Sequence, residues 1–175
     1  MEKINAWLIL LVSVVWIGVP AGAAPDGWRF QLLEGDTISL ADREGPVLVV
    51  NTASLCAFTP QYEGLQALHD RYGAKGLLVL AVPSDDFRQE LASDKEVKEF
   101  CSVNFDLTLP IATITPVRGP AAHPFFADMA RDEGAAPRWN FTKYLVRDGE
   151  LIGHWPSSVR PDSRAITRAI DAALP

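Results

Sequence analysis

Val47-Leu48-Val49-Val50-Asn51-Thr52-Ala53-Ser54-Leu55-Cys56-Ala57-Phe58-Thr59-Pro60 opens with a β-branched apolar run and carries a cysteine at the mouth of it. The run reads as a buried strand. Thr59 followed by Pro60 predicts an N-cap with proline at the first helical position. The helix it opens repeats Tyr62, Leu65, Leu68 and Tyr72 on one face. Cys56 is therefore expected in a strand-to-helix turn, where unpaired N–H groups and the positive end of the helix favour the nucleophilic thiolate. A cysteine buried in an apolar core at that point would instead be inert.

Working outward, Gly73-Ala74-Lys75-Gly76 stops the helix and Leu77-Leu78-Val79-Leu80-Ala81-Val82 is a second continuous apolar run. Such a run suits a strand of a parallel sheet covered on both faces, so strand, helix, strand is the core unit. Ser93 and Glu96 form a capping box ahead of Val97, Phe100 and Cys101, placing Cys101 on the apolar face of a second helix. Upstream, Phe30–Leu33 and Thr37–Leu40 flank Glu34-Gly35-Asp36 as an opening β-hairpin. Downstream, an extended proline-rich passage follows Leu109, and a helix is predicted from His123 to Ala130. Phe141–Val146 and Leu151–Trp155 read as a hairpin turning at Asp148-Gly149, and Ser163 precedes a last helix with Ile166, Ala169, Ile170 and Ala173 inward.

The N-terminus has Lys3, an uncharged apolar stretch from Ala6 to Pro20, and then Ala21-Gly22-Ala23-Ala24. This pattern predicts a secretory signal peptide over residues 1–23 and one exported domain, periplasmic or extracellular, over residues 24–175. The stretch is short for a spanning helix and no basic stop-transfer cluster follows, so no membrane association is expected after cleavage. Formal net charge is −6, and Glu2 and Lys3 cancel within the leader, leaving an acidic domain. Without a basic stripe interleaved with aromatics, nucleic acid is not an expected partner. His69, His123 and His154 have no companion at metal-ligand spacing, so no metal is expected. Two cysteines in an oxidising compartment also fit a single structural disulfide.

The order of elements resembles the thioredoxin fold, an α/β architecture with a mixed central sheet, helices on both faces and here an N-terminal β-hairpin. Redox forms of that fold carry Cys-x-x-Cys at the first turn, whereas Cys56-Ala57-Phe58-Thr59 leaves a single attacking thiol. Asn51 to Tyr62 is similar to the signature around the peroxidatic residue of the glutathione peroxidases. Val82-Pro83 to Phe87, Phe100-Cys101, His123-Pro124 and Trp139-Asn140-Phe141-Thr142-Lys143 match that family in the same order. The resemblance implies a thiol-dependent peroxidase that uses no cofactor and reduces hydrogen peroxide or organic hydroperoxides. Trp139 and Asn140 match the tryptophan and asparagine that hydrogen-bond the attacking sulfur, and neutral donors stabilise an anion without a competing carboxylate.

The family's glutamine is the departure: Asp85-Asp86 stands where Asn-Gln is usual, and an inward Asp86 would repel a thiolate. Gln89 is expected to supply a substitute amide and, with Phe58, to contact substrate. Leu55 and Ala57 replace a commoner lysine and glycine. Cys101 matches the resolving cysteine of the thioredoxin-linked branch, which condenses with the sulfenic acid before further oxidation. The implied reductant is a thioredoxin-like dithiol protein, or less favourably a low-molecular-weight thiol; closing the disulfide is expected to need local unwinding of the Cys101 helix. A different reading keeps the domain as an exported redox sensor or binding module with a structural disulfide.

Overall fold

The computed structural model describes residues 27–175. The proposed signal segment, and the first residues of the domain proposed to follow it, lie outside them. The four-stranded sheet runs in the order β4 (Leu78–Pro83), β3 (Val47–Thr52), β5 (Lys143–Arg147), β6 (Glu150–Trp155). β3 pairs parallel with β4 and antiparallel with β5, which pairs antiparallel with β6, so the sheet is mixed. A separate hairpin of β1 (Arg29–Gln31) and β2 (Thr37–Ser39) precedes it, shorter than the sequence predicts. Leu33 has left it because its N–H is taken by the Ile111 carbonyl.

Side-chain alternation along the strands divides the core into two layers. Leu48, Val50, Val79, Ala81 and Leu145 face α1 (Gln61–Tyr72), α2 (Asp94–Phe105) and α4 (Arg164–Ala173). Val49, Leu80, Val82, Tyr144 and Val146 face α3 (Pro124–Asp132) and the N-terminal hairpin. The expected helical faces are the buried ones: Tyr62, Leu65, Leu68 and Tyr72 on α1, and Val97 and Cys101 on α2. Ser93 caps α2, its hydroxyl accepting from the Glu96 N–H and meeting the Glu96 carboxylate. His123 opens α3 and Ser163 opens α4 by the same kind of bond.

One local expectation fails. Thr59 does not cap α1, which begins after Pro60 with no side-chain cap. Its hydroxyl instead turns back to accept from the Cys56 N–H at 3.1 Å, and lies 2.9 Å from the Ala53 carbonyl and 2.7 Å from that of Cys56. The first amides of α1 are met by backbone carbonyls instead, that of Gln61 by Phe58 and that of Tyr62 by Thr59. No helix of the described residues is long and apolar enough to cross a membrane, and among them no group of three or more His, Cys, Asp or Glu side chains is placed to hold a metal ion.

Candidate active site

Cys56 lies where the parallel strand β3 gives out, and three sets of bonds fix its backbone. Thr59 laces the turn from within, as described above. The Leu55 N–H donates to the Gln89 carbonyl at 2.9 Å and the Ser54 N–H to Glu90 Oε1 at 3.0 Å, binding the turn to the loop after β4. Within this frame the Phe58 N–H points at the Cys56 sulfur, 3.4 Å away. A backbone donor aimed at a sulfur stabilises its anionic form without needing a cation. The sulfur is nearly covered, with Cys56 6 % exposed, while Leu55 at 61 % stands out beside it.

Asn140 and Gln89 meet directly, the Asn140 amide donating to Gln89 Oε1 at 3.1 Å. Each neighbours a residue in the left-handed region: Arg88 at φ 57° precedes Gln89, and Phe141 at φ 62° follows Asn140. Neither is a glycine, so both turns are held against their own preference. For Phe141 the restraint is Asn51, buried at the end of β3. The Asn51 carbonyl accepts from the Phe141 N–H, its Oδ1 from the Thr142 N–H, and its Nδ2 donates to the Trp139 carbonyl. Ser157 completes the clamp by donating to the Asn140 carbonyl at 2.6 Å. Trp139 itself is 41 % exposed and leans on Phe87, ring centroids 5.2 Å apart.

Asp86 is not part of this grouping. Its carboxylate accepts from the Val117 N–H at 2.6 Å and the Arg118 N–H at 3.0 Å, tying the proline-rich passage to the loop after β4. The carboxylate expected to repel the cysteine is thus engaged elsewhere, and the amide that meets Asn140 is Gln89. Cys101 is 1 % exposed on α2, in the same core layer as Cys56, and both cysteines are free thiols. Burial pushes the Cys101 thiol up to about 11, the Tyr62 hydroxyl opposing the shift and the Glu90 charge adding to it. Cys101 also lines an open groove of about 430 Å³ floored by Leu32, Leu107, Leu109 and Ile111.

A glutathione peroxidase family model matches residues 29–130, more than half of the chain. The chain belongs to the glutathione peroxidase family. It is 41 % identical over 152 residues to the hydroperoxy fatty acid reductase gpx1 of Synechocystis sp., covering 79 % of this chain and 90 % of that protein. It is 38 % identical over 136 residues to the glutathione peroxidase-like peroxiredoxin gpx1 of Schizosaccharomyces pombe, covering 74 % and 86 %. Among solved structures the apo form of Trgpx superposes with a TM-score of 0.62 at 27 % identity, covering 87 % of this chain and 99 % of that one. With the family comes the activity: this member is a thiol peroxidase of thioredoxin-like fold, and the turn after β3 carries a cysteine, Cys56.

Sequence reasoning passed over four residues of this peroxidase that the structure makes prominent. Asn51 and Thr59 were quoted within the signature without their clamping roles, and a buried Asn in an apolar strand is the signal that marks the first. Glu90 holds the Ser54 N–H. Lys143, wholly buried, donates from Nζ to Gln61 Oε1, the Ser157 carbonyl at 3.3 Å and the Val159 carbonyl at 2.6 Å. It joins the start of α1 to the segment that holds Asn140, and desolvation lowers it to about 7.

Proposed function

We propose that Cys56 is the peroxidatic thiol and Cys101 the resolving one. The Cys56 thiolate attacks the terminal peroxide oxygen, the O–O bond breaks, and the departing alkoxide or hydroxide takes up a proton, leaving Cys56 as a sulfenic acid. Cys101 then displaces the sulfenic oxygen as water and closes a disulfide, which a thioredoxin-like dithiol protein reduces by exchange. The observation that carries this reading is the Phe58 N–H directed at the Cys56 sulfur in a turn held rigid from both sides. Asn140 and Gln89, paired and held by the Asn51 clamp, are the amides that orient the peroxide, with Trp139 and Phe58 at the rim. The apolar exposure of Leu55 and Trp139 supports organic hydroperoxides as substrates beside hydrogen peroxide, as does the name of the Synechocystis relative.

An intramolecular resolving thiol acts at a higher effective concentration than a small thiol in solution, which favours a dithiol protein as reductant over glutathione. Cys101 sits in the second half of α2, where its carbonyl accepts from the N–H of Asp106, a C-cap in left-handed conformation. Fraying that end is the movement by which the two sulfurs meet, since helix termini open at the lowest cost. The signal-like N-terminus supports reduction of peroxides outside the cytoplasm, in the periplasm or beyond. Mass spectrometry of reduced protein after one equivalent of peroxide tests the assignment: wild type is expected to yield a Cys56–Cys101 disulfide, and Cys101→Ser a Cys56 sulfenic acid that over-oxidises. A free, alkylatable Cys101 in oxidised wild type would refute it.

A further inference from the structure

Lys143 is the only buried lysine or arginine among the described residues. Its three ammonium hydrogens go to three neutral oxygens: Gln61 Oε1 at the start of α1, and the Ser157 and Val159 carbonyls in the turn after β6. A buried ammonium bonded only to neutral oxygens is costly, and an apolar side chain of similar length would fill the space without that cost. Gln61 returns to the same point, its Nε2 donating to the Ser157 carbonyl at 2.7 Å. Ser157 is thus held through its carbonyl from two sides, while its hydroxyl donates to the Asn140 carbonyl at 2.6 Å. The Asn140 amide donates in turn to Gln89 Oε1 at 3.1 Å. An unbroken line of bonds therefore runs from Lys143 Nζ through Ser157 and Asn140 to Gln89, whose own carbonyl accepts from the Leu55 N–H beside Cys56.

The sulfur has a separate support. The Phe58 N–H that points at it belongs to a turn laced by Thr59, and the Phe58 carbonyl is met by the backbone N–H of Gln61 at 2.9 Å. None of these bonds involves the lysine. We propose that Lys143 is a positioning residue for the peroxide step, acting through Ser157 to fix the Asn140–Gln89 amide pair against the Cys56 turn. The Asn51 clamp holds the backbone around Asn140, at Trp139, Phe141 and Thr142, but the Asn140 carbonyl is held by Ser157. Attack on peroxide slows steeply when an orienting group is displaced by a fraction of its bonding distance, so that pair needs an anchor that does not yield. Lysine suits the task because three donors on one atom can gather oxygens from two separate segments.

The inference rests on Cys56 and the Asn140–Gln89 pair forming the peroxide site, and a set of variants separates the two. Reduced wild type, Lys143→Met, Ser157→Ala, their double variant and Asn140→Ala are mixed with hydrogen peroxide or with iodoacetamide, and loss of the free Cys56 thiol is followed by mass. The pH is held near 6, where Lys143 keeps its ammonium form. Alkylation needs the thiolate but no orienting amides, so it reports on the sulfur alone. Lys143→Met, which keeps the length without the charge, is expected to slow oxidation of Cys56 at least about tenfold and its alkylation less than about twofold. Ser157→Ala is expected to show the same selectivity, and the double variant to be no slower than the slower single, because both changes cut one line. Wild-type oxidation in Lys143→Met overturns the proposal, as do equal slowing of oxidation and alkylation and single effects that multiply in the double variant. If Lys143→Met does not fold, Ser157→Ala decides: selective slowing upholds the link and normal oxidation overturns it. Asn140→Ala that is oxidised at the wild-type rate refutes instead the reading of the peroxide site on which the inference stands.

Discussion

The two faces of the central sheet bury similar side chains and treat their polar atoms in opposite ways. On the α3 face an aromatic cluster of Trp28, Phe30, Phe125, Phe126 and Tyr144 packs mostly edge to face, with Phe125 5.0 Å from Trp28 and 5.1 Å from Phe126. Its polar atoms are closed: the Tyr144 hydroxyl donates to the Ala135 carbonyl and Trp28 Nε1 to Asp128, each at 2.8 Å. On the α1 and α2 face lie both cysteines, and there the hydroxyls of Thr52 and Tyr62 are unpaired. The aromatic cluster's polar atoms are paired, whereas those two hydroxyls in the layer of Cys56 and Cys101 are not. Unpaired buried polar groups cost stability, and the Thr52 and Tyr62 hydroxyls stand unpaired in the layer that holds both cysteines.

Cys56→Ser is the severest trial of that contrast. Peroxide consumption is expected to vanish while the urea midpoint moves little, because serine's hydroxyl is far too basic to replace the thiolate. Turnover near wild type, read from peroxide loss, would end the peroxidase assignment for this turn. Phe125→Ala is the mirror experiment, expected to cost about 3–5 kcal/mol in urea unfolding while the folded fraction keeps its reactivity with peroxide. A large loss of rate without loss of stability would show that the two faces are not separate in function.

Asp86→Gln sharpens the comparison at the boundary of the site. Because the Asp86 carboxylate holds the Val117 and Arg118 N–H groups, its replacement is expected to cost about 1–2 kcal/mol and leave the rate of Cys56 oxidation nearly unchanged. A faster reaction at unchanged stability would mean that the charge is felt at the sulfur after all. The smallest effect belongs to His123, stacked on Phe30 with ring centroids 4.0 Å apart. Its Nδ1 accepts from the Phe125 N–H and its Nε2 meets the Arg29 carbonyl, a pairing that only the neutral ring satisfies. Burial lowers its ionisation below the ordinary histidine value, with the Arg29 carbonyl opposing. The unfolded chain therefore binds more protons over the interval below about pH 6.5, and the stability contributed by His123 is full above that interval and lost as pH falls through it. Urea midpoints between pH 4.5 and 7.5 are expected to fall more steeply for wild type than for His123→Gln; parallel curves would contradict this.

The strands, helices and their buried faces were legible in the chain because apolar periodicity is a local record of burial. Leu48 and Val50 alternate with Val47 and Val49, and the two sets face different layers as the period of a strand requires. The turn that holds Cys56 was legible for a related reason: a β-branched apolar run that gives out just before Cys56, with Pro60 just beyond, puts the cysteine at the mouth of the strand. What the tertiary structure alone decided is where each polar side chain turns. Thr59 chose the Cys56 turn over the helix it was expected to cap, Asp86 the backbone of Val117 and Arg118 over the cysteine, and Gln89 the amide of Asn140. The reason is physical: an apolar side chain needs only to leave water, whereas a polar one needs a particular partner. That partner is most often an unpaired backbone group of a segment distant in sequence, whose position exists only once the chain has folded.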